Sequence, residues 1–118
     1  MTPPVRRPRL LLVDDNAGLV ANLTEILEDH GYAVTGTGSC GGALAAAADG
    51  FEVALVDLRL PDGDGTGLAR QLKEQAPDGE VVLLTGFATL ESAVAAGRAG
   101  ACAYLVKPCA TQELLVTV

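Results

Sequence analysis

The strongest constraint on this chain is a repeated pairing of short apolar runs with helix-like segments. Residues 9–13 (RLLLV), 53–56 (VALV), 80–84 (EVVLL) and 102–106 (CAYLV) are each about one buried strand long. A weaker strand is expected over 32–36 (YAVTG). Helical periodicity fills the gaps. Leu19, Leu23, Ile26 and Leu27 fall on one helical face, with Asn16 as its cap and Gly31 just past its end. Ser39 is placed to cap an Ala-rich helix over 40–48, weakened by Gly41 and Gly42. Residues 58–67 read as a turn-rich loop, 68–75 as a helix, and Thr89 as the cap of a helix running to Arg98. Thr111 opens a last helix that the chain end at Val118 cuts short. Strict alternation of buried strands and helices predicts a doubly wound α/β fold. Its core is a five-stranded parallel sheet with helices on both faces.

A chain of 118 residues fits one domain. Residues 1–8 (MTPPVRRP) read as a loose tail, and 9–118 as the domain, with its last helix truncated. Fifteen acidic against eight basic residues give a net charge of −7, which argues against a nucleic-acid clamp. No apolar run approaches the ~18 residues of a membrane span, and four apolar residues after Arg9 are too few for a signal-peptide core. Cys40, Cys102 and Cys109 follow no zinc or disulfide pattern and read as small packing residues, so a cytoplasmic setting is expected.

The chemistry follows from what stands after each strand. The first strand is followed by Asp14 and Asp15, the third by Asp57, the fourth by Thr85 and the fifth by Lys107. In a parallel sheet these strand ends share one edge, where ligands bind. Three carboxylates crowded there repel one another, and a divalent cation relieves the repulsion. Oxygen donors without His or Cys suit Mg²⁺ or Mn²⁺ rather than zinc. Lys107 offers a point charge for a phosphate, Thr85 a hydroxyl donor, and a carboxylate can itself serve as nucleophile. The constellation reads as an Mg²⁺-assisted phosphoryl acceptor.

These residues, with Pro61 four positions after Asp57 and Pro108 after Lys107, resemble the receiver domain of two-component response regulators, the CheY-like and NtrC-type receivers. The stretches VDLRLPDGDG and LLTGFATLESAVAAGRAGACAYLVKP resemble receivers of enhancer-binding regulators or of sensor kinases. The resemblance covers residues 9–118. It implies strand order 2-1-3-4-5 and a phosphoacceptor role for Asp57. It implies metal ligation by Asp15, Asp57 and the backbone carbonyl of Arg59, with Asp14 acting largely through water. Thr85 and Lys107 are then the phosphoryl contacts, and Tyr104 the aromatic partner of Thr85 in a switch. The implied donor is a sensor histidine kinase or phosphotransfer protein, since His30, the sole histidine here, has no assigned role. The face made by the fourth helix, fifth strand and fifth helix is expected to meet a second receiver or an output partner, and an output domain beyond residue 118 is compatible with the family. No direct nucleic-acid or membrane contact is expected of this domain. Arg59 and Phe87, two residues after Asp57 and Thr85, are expected to shield the acyl phosphate from water.

Three other readings compete. An aspartate-nucleophile phosphatase of the haloacid-dehalogenase type needs a second Asp where Arg59 stands. A flavodoxin-like cofactor binder needs a small-residue phosphate loop where Asp14, Asp15 and Asn16 stand. A phosphorylation-independent interaction module on the same fold remains the alternative.

Overall fold

The structure is a computed structural model that describes residues 8–86, 90–101 and 103–106. Strand β1 (Arg9–Val13) leads to helix α1 (Ala17–Asp29), β2 (Ala33–Thr37), α2 (Cys40–Ala47) and β3 (Val53–Asp57). A two-residue pair, β4 (Arg59–Leu60) and β5 (Gly63–Asp64), then precedes α3 (Gly65–Gln75), β6 (Glu80–Thr85), α4 (Leu90–Arg98) and β7 (Ala103–Val106). The main sheet has order β2-β1-β3-β6-β7 and every pairing in it is parallel. Counting only its own five strands, that is the expected 2-1-3-4-5.

Strand period decides where the core sits. Successive side chains point to opposite faces. Leu11, Val13, Ala54, Val56, Val81 and Leu83 therefore gather with Ala43, Ala47, Leu68, Ala69 and Leu72 of α2 and α3. Leu10, Leu12, Val53, Leu55, Val82 and Leu84 gather on the other face with Leu27 of α1. Both faces are covered, so the central strands read as continuous apolar runs rather than alternating ones. Strand β2, at an edge, is half open, which accounts for its weaker sequence signal.

Local signals explain the element ends. Asn16 Oδ1 accepts from Leu19 N at 3.1 Å and Ser39 Oγ from Gly42 N at 3.0 Å, so both expected caps form. At the end of α1, Tyr32 N donates to Leu27 O and Gly31 N to Glu28 O, with Gly31 at φ 94°. That is a Schellman motif, and the left-handed position needs glycine.

Two local expectations change. The apolar face of α1 that meets the sheet is Val20, Leu23 and Leu27, and Leu27 alone on that helix is fully buried. The segment read as an open loop over 58–67 instead holds the β4–β5 hairpin, with Arg59 opposite Asp64 and Leu60 opposite Gly63. Helix α3 starts at Gly65 rather than Leu68, because Asp64 Oδ1 accepts from Thr66 N at 2.8 Å and caps it early. The expected last helix after Thr111 lies outside the described residues.

Candidate functional site: an acidic centre at the strand ends

The C-terminal ends of β1 and β3 lie side by side. Val13 pairs with Val56, so the residues after each strand emerge at the same level. One carboxylate oxygen from each of Asp14, Asp15 and Asp57 falls within 4.8 Å of the others. Asp14 is 3% exposed and Asp57 8%, while Asp15 is open to solvent. The centre is thus a buried pair of acids with one solvent-facing acid at its mouth.

Backbone contacts hold Asp14 and the end of β3 in place. Asp14 N donates to Thr37 O at 3.0 Å, which ties it to the end of β2. Asp14 Oδ1 accepts from Asn16 N at 2.9 Å, closing a short turn before α1. Leu58 N donates to Leu84 O, extending the β3–β6 ladder past Asp57. Gly65 sits against that point. A Cβ there would lie 2.2 Å from Asp57 O, so no larger residue fits without moving the β3 end. Arg59 N approaches Asp57 Oδ1 at 3.4 Å, a long contact, and its side chain is exposed.

Thr85 closes β6 and is 3% exposed. Its neighbour Leu84 pairs with Asp57, so Thr85 stands one step further along the same edge. Thr85 in turn pairs with Val106, the last residue of β7. Lys107 follows Val106 in sequence but lies outside the described residues, as do Phe87, Pro108, Cys102 and Cys109. Tyr104 is in β7 opposite Leu83, and its side chain is outside the described part of the structure. The fold therefore brings Asp14, Asp15, Asp57, Arg59 and Thr85 to one edge.

The donor set fits a hard divalent cation. Three carboxylate oxygens within 4.8 Å of one another, with no His or Cys among them, are the kind of all-oxygen set that such ions take.

A sequence model of the response regulator receiver domain matches residues 10–118. The chain belongs to the response regulator receiver domain family. Curated relatives agree with this. The chain is 37% identical over 114 residues to the alginate biosynthesis transcriptional regulatory protein AlgB of Pseudomonas aeruginosa, covering 96% of this chain and 25% of AlgB. It is 40% identical over 103 residues to the photosynthetic apparatus regulatory protein RegA of Rhodovulum sulfidophilum, covering 86% of this chain and 56% of RegA. The receiver thus spans about a quarter to a little over half of these relatives. Among solved structures, a response regulator from Burkholderia pseudomallei aligns with TM-score 0.89 and 35% identity, covering 93% of this chain and 65% of that one. It was solved with a phosphorylated aspartic acid, a calcium ion and citrate. A CheY-like receiver from Methanospirillum hungatei aligns with TM-score 0.88 and 35% identity over 94% of this receiver and 90% of that one. The family is that of two-component signalling proteins.

One residue that sequence reasoning passed over is Asp62. In a Pro-Asp-Gly turn it reads as a turn former. Here its two carboxylate oxygens accept from Cys40 N at 2.8 Å and Gly41 N at 3.0 Å. Those two N–H groups hold the Asp62 carboxyl below its ordinary pKa. Nothing local in the sequence signals a contact to a helix 21 and 22 positions away. The Cys40 thiol is pushed up, first by burial and then by the nearby Asp62 charge, so it stays a protonated packing group.

Proposed function

We propose that this receiver accepts a phosphoryl group on Asp57 from the phosphohistidine of a sensor kinase or phosphotransfer protein, and that residues 9–118 form the phosphoaccepting unit. The observation that carries the reading is the convergence of three carboxylate oxygens within 4.8 Å beside a buried Thr85 at the next strand end. A phosphorylated aspartic acid and a calcium ion in the Burkholderia relative support it.

In this reading an oxygen of Asp57 attacks phosphorus. A P–O bond forms as the donor's P–N bond breaks, and the departing imidazole nitrogen keeps the electron pair. Asp15, Asp57 and the Arg59 carbonyl hold Mg²⁺ or Mn²⁺, with Asp14 acting mainly through water. When bound, the cation neutralises charge building on the phosphoryl oxygens. Thr85 donates its hydroxyl to one of those oxygens and Lys107 pairs with another. Asp57, buried at the end of β3, needs little rearrangement to receive the group.

Once made, the modification biases a two-state element formed by Thr85 and Tyr104. The face around α4 and β7 then meets a second receiver or an output partner. The regulatory names of AlgB and RegA support signalling to an output domain in the whole protein. We place this exchange in the cytoplasm. No helix among the described residues is long and apolar enough to cross a membrane.

The test is incubation with acetyl phosphate and Mg²⁺, followed by intact mass. One added phosphoryl mass is expected, and it disappears without Mg²⁺ or in Asp57→Asn. If no adduct forms, and beryllofluoride with Mg²⁺ leaves the amide NMR spectrum unchanged, the phosphoacceptor reading falls and the interaction module replaces it.

A further inference from the structure

The tip of the β4–β5 turn reaches a helix that the chemistry above does not use. Asp62 is exposed, yet both of its carboxylate oxygens are engaged by Cys40 N and Gly41 N at the start of α2. Ser39 Oγ takes the next N–H, from Gly42. Three open N–H groups of one helix start are thus satisfied, two of them by a residue from another element. Charge-assisted, two-oxygen contacts of this kind fix orientation as well as distance, and a negative charge suits a helix N-terminus. The two segments also touch beside the clip. A Cβ on Gly63 would lie 3.0 Å from Cys40 Sγ.

The same short stretch of chain contacts the other side of the acidic centre. Thr37 O receives Asp14 N, and a Cβ on Gly38 would lie 3.7 Å from both Asp14 O and Asp15 Cα. Residues 37–41 therefore run from the Asp14–Asp15 turn to Asp62. The hairpin carrying Asp62 has Arg59 at its base, with Arg59 N near Asp57 Oδ1. A closed ring results: the end of β1, the β2–α2 turn, the start of α2, the Asp62 turn, Arg59, and the end of β3.

We propose that Asp62 is a positioning residue for divalent-cation binding: its clip onto the start of α2 holds the β4–β5 turn, and Arg59 with it, in register with Asp14, Asp15 and Asp57. The inference rests on the cation-assisted reading of the acidic centre and adds the device that sets its geometry. Asp62 itself touches neither the cation nor the phosphoryl group. Its effect passes through the backbone at Arg59.

The experiment is an Mg²⁺ titration of the chain, read by calorimetry and by amide NMR, because the sequence has no Trp to report binding. Asp62→Ala is expected to weaken Mg²⁺ binding by about tenfold, the scale on which residues that orient metal ligands act. Its acetyl-phosphate rate at saturating Mg²⁺ stays within about twofold of wild type, since the groups contacting phosphorus are intact. Hydrogen exchange at the Cys40 and Gly41 amides accelerates. Asp62→Asn, which keeps one acceptor oxygen, falls between, and it carries the test if the alanine variant does not fold. Ser39→Ala removes a cap from the same helix without touching the turn and leaves Mg²⁺ affinity at the wild-type value. The fold-change persists from about 0.1 M to about 1 M salt, over which the Debye length falls from about 10 to about 3 Å, because geometry and not bulk charge is lost.

Folded Asp62 variants that bind Mg²⁺ like wild type overturn the proposal. So does an equal loss in Ser39→Ala, or a loss that vanishes in high salt. Wild type that neither binds Mg²⁺ nor takes a phosphoryl group overturns the underlying reading as well. That result differs from a wild type that does both beside an unaffected Asp62→Ala.

Discussion

Each acid of the centre works in a different setting, and the differences come from one or two neighbouring atoms. Asp14 is buried and its Oδ1 already accepts from Asn16 N, so its freedom to turn toward a ligand is restricted. Asp15 beside it is exposed to solvent. Asp57 is buried at the end of a strand clamped by Gly65, which limits the orientations its carboxylate can take, as the proposed acceptor role requires. Arg59 extends into solvent from the base of the hairpin. There its long side chain can cover an acyl phosphate on Asp57. Arg59→Ala is expected to shorten the lifetime of the phosphorylated form several-fold while leaving its rate of formation within about twofold. A phosphate-release time course checks this, and identical decay in the two proteins removes the shielding role. Asp57 was legible because a carboxylate directly after a buried strand is chemically conspicuous. The pairing of Arg59 with Asp64 was not, since it depends on the hairpin turning the chain back.

Helix α2 depends on another segment for its start. Its own sequence is Ala-rich but carries Gly41 and Gly42, which cost up to about 1 kcal/mol each relative to alanine. Ser39 and Asp62 compensate by satisfying its first N–H groups. The Asp62 contact has a definite pH signature. The folded state lowers the Asp62 pKa, chiefly through the N–H groups of Cys40 and Gly41. A carboxylate with a depressed folded pKa contributes stability that is fully present above its unfolded value, about 3.9, and lost as pH falls through the lower folded value. Asp62→Asn is therefore expected to unfold at lower urea than wild type between about pH 5 and pH 7, with the two converging below about pH 4. Urea midpoints across that range check the sign, and a gap that widens on acidification contradicts it. The caps of α1 and α2 could be read in sequence because Asn16 and Ser39 act within three residues. The early start of α3 could not, because Gly65 and Gly67 disfavour helix in isolation. The Asp64 cap and the close fit of Gly65 on Asp57 O override that preference.

At the scale of the whole molecule, a sheet covered on both faces places the site and supplies the stability. Leu12, Leu55 and Val82 are fully buried on one face, as Val56, Val81 and Leu83 are on the other. Leu55→Ala is expected to cost about 2–5 kcal/mol, a large part of the roughly 5–15 kcal/mol that holds a domain of this size folded. Val94→Ala, at a valine 46% exposed on α4, is expected to stay within about 0.5 kcal/mol. Urea denaturation of the two variants beside wild type measures both. Similar losses in the two would contradict the core assignment. The tightness of this sheet also explains why its ends suit chemistry. Paired strands deliver Asp57 and Thr85 to neighbouring points on that edge.

Sequence alone specified the class of fold, because the strand runs are apolar throughout and the segments between them keep helical spacing. It also pointed to Asp14, Asp15, Asp57 and Thr85, because polar residues directly after buried strands must share the edge of a parallel sheet. Tertiary packing alone settled which side chains of each strand face which helix. It alone folded 59–64 into a hairpin and carried Asp62 onto the start of α2. The physical reason is range. Periodicity and capping act over a few residues and leave a local mark, whereas a carboxylate that meets two N–H groups from another element leaves none.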